Sequence, residues 1–112
     1  MVETETIAFR MQLGPGSASE YRCRHDAIWP DLTAALEAVG VLDYRIFHDQ
    51  ETGALFAVLT RRADHTMGAL PALPVMQRWW AMMADIMETE PDSSPRQRAL
   101  DAMFHLKAGG QP

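Results

Sequence analysis

The chain has 112 residues, 47% of them hydrophobic, which suffices for one core and not for two. Its formal net charge of -5 argues against nucleic acid, which calls for a basic face, and against an anionic membrane surface. A lone cysteine, Cys23, excludes an intrachain disulfide and points to the cytoplasm; Met1 to Thr6 lacks the apolar core of a signal peptide, and no stretch has the length of a transmembrane helix.

Along the chain the hydrophobic period alternates between two and about 3.6. Thr6 to Leu13 reads as a half-buried strand, with Ile7, Phe9, Met11 and Leu13 on one face and Arg10 and Gln12 on the other. Gly14-Pro15-Gly16 ends it, and Ser17 or Ser19 caps the next helix. Ser19 to Gly40 reads as that helix, with Pro30 on its outward side removing a backbone donor and so kinking or interrupting it. Gly40 closes it. Val41 to His48 and Ala54 to Arg61 read as strands joined by the hairpin loop Asp49 to Gly53. Asp64 to Leu73 is short and broken by Pro71 and Pro74, and Val75 to Glu88 is a second helix. In the loop Glu90 to Pro95, Ser94 and Pro95 resemble the cap and first position of a short helical turn. Ala102 to Lys107 is the expected last strand, and 108–112 a frayed tail.

The order β-α-β-β-α-β is the ferredoxin-like α+β arrangement, in one domain spanning 1–112 with its core at about 6–107. Four antiparallel strands would carry both helices on one face. The other face, with Val and Phe on it, also needs cover, and a second copy packed face to face supplies it. A homodimer is therefore expected.

Within the first helix, Tyr21, His25, Ile28, Trp29, Leu32, Ala35, Leu36 and Val39 share one side of the wheel, at about 100° per residue. A titratable ring in an apolar stripe is either a core histidine satisfied by a hydrogen bond or an acid/base group looking into a pocket. Cys23, two residues from His25, points nearly the opposite way, which sets aside a Cys/His nucleophile pair. Arg24 sits at the stripe's edge and pairs best with Glu20, one turn earlier. On the second helix Val75, Met76, Trp79, Trp80, Met82, Met83, Ile86 and Met87 form a broad apolar side. Such a stripe is usually core. An indole, however, offers a flat apolar face together with an N–H donor, a match for a small polyhydroxylated ligand. His48, His65 and His105 lack ligand spacing, so no metal is expected, and Asp92 after Pro91 is ordinary turn chemistry.

Glu20-Tyr21-Arg22-Cys23-Arg24-His25-Asp26-Ala27-Ile28-Trp29-Pro30 resembles the first-helix signature of the L-rhamnose mutarotases. Asp43-Tyr44-Arg45-Ile46 and Leu55-Phe56-Ala57 resemble their second and third strands. Gln77-Arg78-Trp79-Trp80, then Met83-Ala84-Asp85-Ile86-Met87, resembles their second helix, and Pro91 to Pro95 the loop after it. The likeness runs from about Ile7 to Leu106. It implies a dimeric α/β-barrel of ferredoxin-like subunits that interconverts the α and β anomers of a 6-deoxy sugar without metal or organic cofactor. On that resemblance His25 is the proton donor, and Tyr21, Tyr44, Trp79 and Trp80 line the sugar site.

Ring opening needs a proton delivered to the ring oxygen while another leaves the anomeric hydroxyl, work suited to a group titrating near neutrality. The partner base is not evident: an ordinary phenol titrates near 10, so Tyr21 is a poor one, and a water or a carboxylate stays open. Other readings are a mutarotase for another 6-deoxy sugar such as L-fucose, a cofactor-free small-molecule oxygenase, and a sugar-binding module on the same fold.

Overall fold

The computed structural model describes residues 3–110. Its elements run β1 (Thr4–Gln12), α1 (Ala18–Asp26), α2 (Pro30–Ala38), β2 (Val41–His48), β3 (Ala54–Arg62), α3 (Pro74–Met83) and β4 (Arg98–Leu100), with a 3-10 segment at Met67–Ala72 before α3. The strands form one antiparallel sheet in the order β2-β3-β1-β4, that of the split β-α-β arrangement.

Register puts the apolar alternation of β1 to use. Ile7, Phe9 and Met11 lie opposite Leu59, Ala57 and Leu55 of β3, and Tyr44 and Ile46 of β2 continue the same rows. This face packs with Leu32 and Val39 of α2 and Met76, Trp79 and Met83 of α3 into one core, in which Leu59 has 0% of its surface exposed. The opposite face carries Ala8, Arg10, Phe47, Phe56, Val58 and Leu100. Phe47 is 56% exposed there.

Pro30 divides the expected first helix in two. A proline disfavours the helical region for the residue before it, and Trp29 is accordingly extended at φ -68°, ψ 133°. Pro30 then serves as the first helical position of α2, where its missing N–H costs nothing. Leu73 and Pro74 start α3 in the same way. Gly40, at φ +109°, makes the exit from α2 that a side chain would strain, since an added Cβ would lie 3.0 Å from Cβ of His65.

Three expectations are corrected. α3 ends at Met83, short of Glu88, because the next backbone is taken by the end of β1. The Gly14 N–H donates to the Ile86 carbonyl (2.8 Å), the Glu88 N–H donates to the Gln12 carbonyl (2.9 Å), and Leu13 bridges Met87. Ser94-Pro95 opens no helical turn: Asp92 accepts from the Ser94 N–H and hydroxyl, Ser93 has φ +71°, and Pro95 bridges Thr89. The last strand is Arg98–Leu100, whereas Met103, Phe104 and Leu106 leave the sheet and stay exposed. Alternation marks a segment that wants cover without naming the surface that covers it. The expected frayed tail falls partly on residues 111 and 112, which lie outside the described residues, and Ala108–Gly110 makes a short 3-10 turn. Among the described residues no helix is long and apolar enough to cross a membrane.

Candidate active site

α1 is polar on most of its circumference and buries only Tyr21. Four residues on, His25 is half-buried, and its ring lies 4.2 Å from that of Tyr21, centroid to centroid. His25 Nδ1 is 3.1 Å from the Tyr21 carbonyl oxygen. A carbonyl only accepts, so Nδ1 carries the hydrogen and Nε2 is the nitrogen left to exchange a proton. Burial lowers the His25 pKa below the usual 6.5; the Tyr21 carbonyl and the nearby Asp26 carboxylate partly oppose this. The hydrogen-bonded core histidine and the acid/base group are thus compatible, each reading using a different nitrogen.

α3 supplies the opposing wall. Trp79 is buried and meets His25 edge to face at 5.3 Å, and Trp29 meets Trp79 in the same way at 5.2 Å. Trp80, one position on, is half-buried and lines the same cleft as Tyr21, His25, Tyr44 and Trp79. The adjacent indoles therefore divide their work: one packs the core beside the imidazole, the other borders the cleft.

The sheet supplies the floor. Tyr44 of β2 stands edge to face with Phe9 of β1 at 6.3 Å. It leaves 38% of its surface exposed, yet desolvation of its phenol pushes the pKa up to about 12. Burial and the neighbouring Tyr44 also push the Tyr21 phenol well above its ordinary value. Both phenols are thus neutral at pH 7, able to donate to sugar hydroxyls and unable to act as bases. Among the described residues no carboxylate is buried.

Of the five residues singled out from the sequence, ring contacts join Tyr21, His25 and Trp79, Tyr44 lies near enough to Tyr21 to raise its pKa, and Trp80 borders the same broad cleft. Two residues that do not line the cleft brace its walls in ways not foreseen. Trp29 reaches Trp79 although the helix breaks before Pro30, and its only sequence sign was the Tyr21-His25-Trp29 spacing of four. Arg24 makes the expected pair with Glu20 (2.8 Å), and it also reaches Asp85 and the Met82 carbonyl of the other wall. Arg10 donates to Gln12 Oε1, which leaves it on the outer face as expected.

An α+β sheet whose helix-covered side gathers an imidazole, two neutral phenols and two indoles defines a small protein suited to proton transfer on a polyhydroxylated ring. The sequence comparisons give that class a family. Residues 6–106 match the family model described as L-rhamnose mutarotase. An L-rhamnose mutarotase of Jannaschia sp. (strain CCS1) is 60% identical over 102 residues, covering 91% of this chain and 98% of the relative. One from Sinorhizobium fredii is 58% identical over 102 residues, with the same coverage of 91% and 98%. The crystal structure of an L-rhamnose mutarotase from Formosa agariphila superimposes with a TM-score of 0.85 at 39% identity, covering 92% of this chain and 99% of that one. A Mycobacterium tuberculosis structure at 17% identity and TM-score 0.53, covering 94% and 100%, shares the fold alone. The chain belongs to the L-rhamnose mutarotase family.

Proposed function

We propose that this protein, acting as a single domain, interconverts the α and β anomers of L-rhamnose, with His25 as the proton donor and no cofactor. The observation that carries the reading is the His25 ring, fixed through Nδ1 and flanked by Tyr21 and Trp79 with Nε2 left to react. In the opening step Nε2–H of the imidazolium protonates the ring oxygen. The C1–O5 bond breaks, its electron pair goes to O5, and the anomeric hydroxyl loses its proton to a base as C1=O forms. After rotation about C1–C2, O5–H returns its proton to Nε2 and attacks the other face of the aldehyde, whose oxygen regains a proton. Tyr21 and Tyr44 donate to ring hydroxyls. The Trp79-Trp80 pair covers apolar C–H surface and the C6 methyl, which no donor needs to solvate.

A homodimer forming a dimeric α/β-barrel belongs to the same proposal. Phe47 and Phe56, paired across β2 and β3, Leu100 on β4, and Met103, Phe104 and Leu106 beyond it are exposed apolar side chains. A second copy placed face to face would cover them. The lone exposed thiol, Cys23, suits the reducing cytoplasm, where we place the reaction.

The test is anomer exchange measured by NMR at equilibrium in L-rhamnose, with L-fucose alongside. Wild type should accelerate rhamnose exchange, and His25→Ala should lose about 10²–10⁴-fold of that rate while still binding sugar. Acceleration of fucose alone would keep the chemistry and change the substrate. No acceleration of either sugar by folded protein would sink the assignment.

A further inference from the structure

The helix that carries both Tyr21 and His25 has little apolar grip on the molecule, since Tyr21 is its only buried residue. The polar grip is concentrated in one side chain. Arg24 Nη1 donates to the Met82 carbonyl at 2.7 Å and to Asp85 Oδ1 at 2.8 Å, and Nη2 donates to Asp85 Oδ2 at 3.3 Å. Its Nε donates to Glu20 Oε2 at 2.8 Å, which holds the guanidinium plane from its own helix. The Arg24 side chain is 19% exposed and that of Asp85 66%, so the fork lies at the surface and is held by its geometry, the bidentate carboxylate and the Met82 carbonyl fixing the guanidinium plane.

The far end of the fork is itself anchored. Met82 lies three residues beyond Trp79 on α3, and Asp85 immediately precedes the backbone that Gly14 and Gln12 grip at the end of β1. The chain from β1 through the Gly14–Ser17 turn into α1 is thereby closed on itself through Arg24. We propose that Arg24, with Asp85, is a positioning residue of this site: it clamps α1 onto the end of α3 and so sets His25 against Trp79. A lysine would not serve equally, because a point charge cannot hold a carbonyl and a bidentate carboxylate in one plane.

The proposal rests on His25 being the acid, and the experiment separates the two. Arg24→Met keeps the aliphatic stem, Asp85→Ala removes the carboxylate, and Arg24→Lys restores charge alone. Anomer exchange per folded molecule should fall about ten- to a hundredfold in Arg24→Met, with kcat affected more than KM and Lys recovering only part. The His25 titration, followed by NMR of its ring protons, should move upward toward the ordinary imidazole value in both Arg24→Met and Asp85→Ala, as a loosened helix returns the ring to water. The groups bearing on that titration are the Tyr21 carbonyl and Asp26, both on its own helix, and neither is changed; the α3 group facing it, Trp79, is uncharged. A purely Coulombic role would move the two variants in opposite directions, since one removes a cation and the other an anion. Opposite movement, or an unmoved midpoint with full turnover per folded molecule, would overturn the clamp. Wild-type exchange in His25→Ala would overturn the acid assignment and the kinetic arm with it, leaving the parallel upward movement of the two titrations to decide the clamp.

Discussion

The two faces of the sheet differ in what a single chain does for them. The helix-covered face places Leu55, Ala57 and Leu59 opposite Met11, Phe9 and Ile7 and seals them under α2 and α3. The other face alternates arginines with aromatic and aliphatic side chains, Arg10 beside Phe56 and Arg45 beside Val58, and among the described residues no element covers it. Stability should therefore depend on the first face and association on the second. The proposed reactive groups sit at the margin of the covered face, where helix and sheet part enough to leave a cleft.

The largest effect should come from Trp79→Ala on the covered face, about 3–5 kcal/mol of stability by denaturant unfolding, because a buried indole leaves a cavity. Phe56→Asp on the open face should cost the monomer fold far less and should convert the proposed dimer to monomers in sedimentation velocity. Comparable unfolding by both variants would erase the contrast between the faces. At the margin, if the imidazolium donates as proposed, kcat/KM should rise as pH falls toward the His25 midpoint, which burial holds below the usual 6.5. The reverse slope would recast Nε2 as the base toward the anomeric hydroxyl. Folding stability runs against that gain. A histidine whose folded pKa is lowered contributes fully above the unfolded value of 6.5 and loses its contribution as pH falls from there through the folded value. The smallest effect should be Gly53→Ala, at the hairpin rim. With φ +76° and an added Cβ 2.8 Å from Gln12 Nε2, it should cost about 1–2 kcal/mol by thermal unfolding, without changing oligomeric state.

Much of this architecture was legible where the period was clean. β2 and β3 begin where the alternation begins, and Pro30 marked the place where the first helix gives way. The residues of the cleft were legible in part through type and spacing: His25 stood out as a titratable ring among apolar neighbours, Tyr21 one turn before it, and the Trp79-Trp80 pair through its indoles, whereas Tyr44 came only from the resemblance to the family. Features decided by distant backbone escaped. The apolar run Ile86-Met87 continues a helical pattern, yet β1 recruits it as a bridge, and local periodicity carries no trace of that competition. Met103, Phe104 and Leu106 signalled a strand, but only Arg98–Leu100 pairs with β1. Arg24 shows its near partner Glu20 in the sequence, because an i, i+4 pair is visible there and a fork to Asp85 is not.

The bond from His25 Nδ1 to the Tyr21 carbonyl leaves the imidazole with a single doorway. A histidine with both nitrogens free can take a hydrogen in on one side and release it on the other, as a relay to bulk water. Here the hydrogen that enters through Nε2 leaves through Nε2. The ring then behaves as a cul-de-sac, with a memory of the last hydrogen it held. On the proposed mechanism, when reclosure outpaces solvent exchange, the hydrogen lent to the ring oxygen in one anomer should be the one recovered in forming the other.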